Sequence, residues 1–210
     1  MRGSHPKKVP TLFTDWLANE TADWKPTYSD LRNPVRKAVV DALWKAQRGL
    51  CVYCGRALSC DRSRTFYQIE HFRPQSKYPR MTMCFTNLFL SCNQGSIEGV
   101  RADLCGQAKD SWFDENKHIE PDYPGCTDRF RFGLTGEIMP ATEGDEAAQE
   151  MIDRLNLNHR ELKVEREDIL WKIDAGALDI SDFVPSLDRS GDRVGSYAHM
   201  VCQKFSTTIP

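Results

Sequence analysis

The run Ile69-Glu70-His71-Phe72-Arg73-Pro74 sets a carboxylate beside an imidazole, and Asn87-Leu88 follows 16 residues after the histidine. At a strand end such a pair can hold a divalent metal on the carboxylate while the imidazole takes a proton from water. Alone, the same two residues also fit an ion-paired glutamate and a histidine satisfied by a backbone carbonyl. A second chemistry lies upstream. Cys51-Val52-Tyr53-Cys54-Gly55 has the two-residue spacer that brings both thiolates to one tetrahedral zinc at about 2.3 Å, and Gly55 permits the tight turn. Such a site needs two more ligands. Cys92 and Cys105 are the nearest second half; Cys60, Cys84, Cys126 and Cys202 are substitutes that read more simply as small buried hydrophobes.

These residues need elements to hold them. From Asn33 to Gly49 the helix signals agree, with Asn33 as N-cap, Pro34 at the first helical position, Val35, Val39, Ala42, Leu43 and Ala46 on one face, and Gly49 as terminator. Leu50–Cys54 and Phe66–Phe72 are short and rich in β-branched or aromatic residues, which predicts a small irregular hairpin that carries the chemistry. Ile97–Gly106 and Glu120–Gly144 hold most of the Gly and Pro and read as loops. Met151, Ile152, Leu155, Leu162, Ile169 and Ile173 predict helices over Gly144–Leu155 and His159–Asp174, joined at Asn156–Asn158. A last helix is expected from Val194 to Phe205, with Tyr197, Met200, Val201 and Phe205 as a core-facing stripe.

The chain of 210 residues is 40% apolar and 28% charged, which suits one globular domain or one with a packed extension. Eight cysteines are too sparse for a small disulfide scaffold, so without a secretion signal they favour metal. No apolar run approaches the ~18 residues of a membrane helix, and the first ten residues lack a signal peptide's apolar stretch; a cytoplasmic protein with no membrane partner is expected. The opening MRGSH looks like an expression-tag remnant, so no function is placed on His5. The net charge of −2 hides an asymmetry: residues 1–110 hold 17 basic and 10 acidic side chains, residues 111–210 hold 11 and 20. Only the first half suits phosphates.

The order C-x-x-C-G, E-H-x-x-P, N-L, Cys-Asn and Cys-Gly-x-x-Lys resembles the HNH endonuclease family with its zinc-held ββα-metal core. More narrowly, the chain resembles the PtuB subunit of Septu and retron-associated antiphage systems. The matching pieces are Val35-Arg36-Lys37-Ala38, Gly49–Cys54, Ile69–Pro79 and Asn87–Asn93, and later Leu155-Asn156-Leu157-Asn158 with Leu162 and Arg166.

The resemblance implies an α+β fold, with the zinc-stapled core over residues 33–118, an N-terminal extension over 1–32, and a mainly helical, partner-docking C-terminal region over 119–210. His71 falls on the family's general base, Glu70 on its acidic ligand for catalytic Mg²⁺ or Mn²⁺, and Asn87 on the residue that holds the base loop. Cys51, Cys54, Cys92 and Cys105 would hold structural Zn²⁺, which with four thiolates has no open position for water. Lys109 matches a family lysine that contacts phosphate. Gly106 stands where HNH proteins place Asn, His or Asp, so a third metal ligand must come from Gln107, Asp110 or Asn93, or be water. Arg73, Lys77 and Arg80, with Arg56, Arg62 and Arg64, are candidates for holding the strand, Phe72 and Tyr78 being interleaved. The expected activity is phosphodiester hydrolysis, of DNA first and of RNA such as tRNA as an alternative; an inert zinc-bound tether is the reading from another class. The implied partners are nucleic acid, an ABC/SMC-like ATPase subunit docked on the acidic tail and, in some retron versions, a reverse transcriptase with its RNA–DNA product.

Overall fold

Helix α1 (Thr11–Ala18) buries Phe13, whose ring lies 6.0 Å from that of Phe85. Helix α2 (Val35–Gln47) buries Val35, Val39, Leu43 and Ala46 of the expected stripe, leaves Ala42 half-buried, and buries Gln47 as well. It ends where Arg48 turns left-handed (φ 55°) ahead of Gly49 (φ 71°). Its N-cap is Pro34 rather than the expected Asn33, and no side chain caps it. These elements belong to a computed structural model that describes residues 1–59, 66–93, 103–183 and 195–207.

The hairpin pairs differently from expectation. Strand β1 (Tyr67–His71) is antiparallel to β2 (Leu88–Cys92), in a register that sets His71 against Leu88 and Tyr67 against Cys92. Leu50–Cys54 instead folds on itself through a Leu50–Ala57 bridge and meets the sheet's backbone through Val52 N–H to the Leu90 carbonyl at 3.0 Å. The buried Gln47 amide fills the gap: it donates to the Leu50 and Leu90 carbonyls and accepts from the Leu90 N–H at 2.7 Å. After β2, a single turn of helix, α3 (Gly106–Lys109), follows Cys105.

The stretch expected as loop over residues 120–144 contains a second hairpin, β3 (Phe130–Phe132) with β4 (Ile138–Pro140). Helices α4 (Glu146–Arg154) and α5 (Arg160–Asp174) flank a joint at residues 155–159, where Asn156 takes φ 50°. The Asn158 side chain accepts from Ile138 N–H and donates to its carbonyl, both at 2.8 Å, so it pairs with β4 as a strand would. The last helix, α6 (Ala198–Lys204), buries Met200 and Val201 beside Tyr197, but Phe205 is 42% exposed and lies outside the stripe expected of it. Val194 lies outside the described residues.

All of these elements share one buried cluster. Met1 belongs to it, and the residues after it are bonded to the rest of the chain. Met1 is fully buried, Arg2 and Gly3 N–H groups donate to the Tyr53 and Val52 carbonyls at 2.9 Å, and the Thr127 hydroxyl donates to the Arg2 carbonyl. Among the described residues no helix is long and apolar enough to cross a membrane.

Candidate active site and metal centre

The two halves of the cysteine set meet. Cys51, Cys54, Cys92 and Cys105 are buried, and their sulfur atoms all lie within 4.8 Å of one another. The Arg56 N–H donates to Cys54 Sγ at 3.4 Å and the Cys92 N–H to Cys51 Sγ at 3.3 Å, bonds that orient the two sulfurs. Four converging soft donors with no carboxylate among them can hold a metal ion such as zinc. Cys105 is placed by a bond from its N–H to the Leu155 carbonyl at 2.9 Å. The buried Arg166 donates to the Leu157 and Leu162 carbonyls and fixes the same joint, which explains why Leu155–Asn158 and Arg166 matter to residues fifty positions upstream.

His71 ends β1. Its Nε2 lies 3.0 Å from the Thr82 carbonyl, which only accepts, so Nε2 carries the proton and Nδ1 is the basic nitrogen. The Tyr28 ring meets the imidazole edge-on at 4.7 Å. Burial, and to a lesser extent the Lys109 charge, push the His71 pKa below the usual histidine range, against the Thr82 bond. A cleft of about 490 Å³ is walled by Tyr28 and Thr82, the two residues that touch the imidazole, together with Gln75 and Met83. Asn87 holds the loop between them: its Oδ1 accepts from Arg73 N–H at 2.7 Å, and its amide donates to the Arg73 and Met81 carbonyls at 3.0 and 3.1 Å.

Glu70 is turned inward. Its Oε1 accepts from the Tyr53 hydroxyl at 3.1 Å and lies 3.0 Å from the Lys109 ammonium, which also donates to the His71 carbonyl. Burial pushes the Glu70 pKa up, opposed by Lys109. Gly106 packs against the other oxygen: a Cβ there would sit 2.3 Å from Glu70 Oε2. Glycine at this position therefore makes room for a carboxylate. Lys109, expected at a phosphate, is 2% exposed and serves inside the protein. Among the described residues the four cysteines form the one cluster of three or more metal-binding side chains. A divalent ion on Glu70 does not fit this arrangement, because an ammonium occupies the place beside Oε1 and, among the described residues, Glu70 belongs to no cluster of three metal-binding side chains.

No family model matches the chain. Over 140 residues it is 35% identical to a Vibrio cholerae serotype O1 biovar El Tor protein described as "Retron Vc95 putative HNH endonuclease". The chain is a homologue of that retron protein. The match covers 63% of each, so the chain spans about 63% of the length of its curated relative.

The expected strand-holding cations divide. Arg56 is buried and makes a bidentate pair with Glu165, at 3.0 and 2.6 Å, which ties the cysteine turn to α5. Arg73 pairs with Glu120 at 2.5 Å and stacks over the Phe113 ring. Lys77 and Arg80 are exposed beside the cleft loop. Arg62, Arg64 and Cys60 lie outside the described residues. Tyr28 and Thr82 have no counterpart in the sequence reading. Thr82 acts through its backbone carbonyl, which any residue supplies, and nothing in Thr27–Asp30 beyond a local capping box marks Tyr28 as a neighbour of His71.

Proposed function

We propose that the chain is an HNH-type endonuclease that hydrolyses phosphodiester bonds, DNA in first place, as the effector of a retron-type defence system. The observation that carries the reading is His71: a neutral imidazole set behind Tyr28 and Thr82, two residues that wall a cleft, its proton fixed on Nε2 and its loop held by Asn87, in a chain similar to a retron protein described as a putative HNH endonuclease. Nδ1 takes the proton of the attacking water, and the Thr82 carbonyl stabilises the imidazolium that forms. Lys77 and Arg80 meet the strand. On this reading β1, β2 and α3 are the ββα-metal unit, stapled by zinc on the four cysteines. The catalytic Mg²⁺ or Mn²⁺ that the family resemblance implies would supply Lewis acidity, but the residues around Glu70 do not fit it as placed, and no step is routed through it. An ATPase subunit, docked on the acidic C-terminal region, would supply the recognition that two exposed cations cannot. The Glu70–Lys109 pair favours one second reading, an inert zinc-bound tether.

The test is cleavage of plasmid DNA and of total tRNA by the chain co-expressed with its ATPase, with Mg²⁺, with Mn²⁺ and with chelator. Cleavage that falls by about 10² or more in His71→Ala supports the base, and the substrate cut separates DNA from RNA. A folded, zinc-loaded, partner-bound sample that cuts neither establishes the tether.

A further inference from the structure

A cavity of about 560 Å³ lies between residues 2–6, the loop 121–128 and the end of α6, and shares no residue with the His71 cleft. Its lining is unusual in what it leaves unpaired. Arg2 is 5% exposed, and its Nε and one terminal nitrogen have no hydrogen-bond partner. His199 is 3% exposed and neither ring nitrogen has one; the same holds for Nε2 of His5. Five buried nitrogens of residues that line one cavity thus lack partners. A guanidinium withdrawn from water without a counter-charge costs several kcal/mol, and an arginine fork beside imidazoles is a donor set for a tetrahedral oxyanion.

The carboxylates nearby do not neutralise it. Asp122 is 3.7 Å from the Lys7 ammonium, and Asp128 is exposed. A metal is not indicated either, since among the described residues the four cysteines are the one cluster suited to it. The volume exceeds a free anion, and Tyr123, 53% exposed, also lines the cavity with a ring on which a base can stack.

We infer that this cavity binds a phosphate monoester, with Arg2 and His5 on the phosphate oxygens and the Tyr123 ring against an attached nucleoside. The chemistry is shared by a free nucleotide and by the 5′-phosphorylated end of a strand. Neither would be the substrate held at His71, so the site is a second point of contact with nucleotides.

Calorimetry and thermal melting of the full chain at fixed ionic strength test this, with four probes: inorganic phosphate, a nucleoside 5′-monophosphate, a 5′-phosphorylated oligonucleotide and its 5′-hydroxyl counterpart. The wild type should bind and melt higher with at least one phosphate-bearing probe. Arg2→Met should weaken that binding about tenfold or more while melting no lower than wild type without ligand, since Arg2 Nε and its unpaired terminal nitrogen give up no bond. If Arg2→Met does not fold, His5→Gln takes its place, with the same loss expected. A nucleotide preferred over inorganic phosphate, with the preference lost in Tyr123→Ala, supports stacking of a free nucleotide. Preference for the 5′-phosphorylated strand over its 5′-hydroxyl form and over the nucleotide supports a strand end. Absence of binding by every phosphate-bearing probe overturns the site, as does binding equal in wild type, Arg2→Met and His5→Gln. A His71→Ala chain should bind like wild type, so failure here is distinguishable from failure of the nuclease reading.

Discussion

His71 and Asn87 divide one task. The carbonyl of Thr82 sets the tautomer, and the Asn87 side chain steadies Thr82 by gripping Arg73 and Met81 on either side of the loop. Asn87→Asp keeps the acceptor for Arg73 N–H and loses both donations, leaving two carbonyls facing a carboxylate. A loss of about 1–3 kcal/mol in stability is expected, with a fall in cleavage rate larger than the loss of folded protein explains; urea unfolding alongside cleavage assays measures both. Gly106 has the opposite sensitivity. An added methyl meets Glu70 Oε2 at 2.3 Å, in contact with a carboxylate already held by Tyr53 and Lys109. Gly106→Ala should cost about 1–3 kcal/mol by overpacking, and Gly106→Asn, which restores the residue usual in HNH proteins, should cost more rather than rescue. A Gly106→Asn chain that is as stable as wild type and gains tight Mg²⁺ binding would show that Glu70 can exchange its lysine for a metal.

At the scale of elements, α2, α4 and α5 were legible because a 3.6-residue stripe is a local pattern: Val39 and Leu43, Met151 and Ile152, Leu162 and Ile173 are buried as read, whereas Ala42 and Ile169 are half-buried and the polar Gln47, Glu161 and Arg166 go inside without an apolar signal. The cysteine set was legible for a chemical reason, since thiolates at these spacings have few other uses. The strand pairing was not. Leu50–Cys54 and β1 have similar composition, and what assigns β2 as the partner of β1 is the Gln47 amide bridging the turn and Leu90, a tertiary contact with no local signature. β3 and β4 were hidden by their length of three residues each and are held by the side chain of Asn158. The start of α4 makes a prediction about pH. Asp145 caps the helix through Ala148 N–H and pairs bidentately with Arg129; the Arg129 bonds hold its pKa below the usual 3.8. A carboxyl with a depressed folded-state pKa stabilises above its unfolded value and loses that contribution as pH falls through the folded one. Asp145→Asn keeps a capping side chain and loses the pair, so it should cost up to about 1 kcal/mol at neutral pH, with the gap to wild type closing below pH 3.8 in melts across pH.

Across the whole molecule the acidic half is both scaffold and surface, and the two roles separate by burial. Leu155 holds Cys105, Glu165 holds Arg56, and the Tyr197 N–H donates to the Gly55 carbonyl at 2.7 Å, so the region after residue 144 builds the cysteine site from behind. Removing residues 145–210 would therefore unmake the metal centre together with any docking face, and zinc content should fall with partner binding. The outward side of α5 can be changed alone. Val164 and Trp171 are 49% and 67% exposed, with Glu167 and Asp168 between them on the same side of the helix. An exposed tryptophan ringed by carboxylates has the composition of an interface anchor for a basic partner. Trp171→Ala with Glu167→Lys should remove about 2 kcal/mol or more of affinity for the proposed ATPase partner, while zinc content and melting temperature stay at wild-type values because neither side chain packs in the core. Co-purification unchanged by the double variant would place the docking face elsewhere, with the buried contacts of α5 left as its whole contribution.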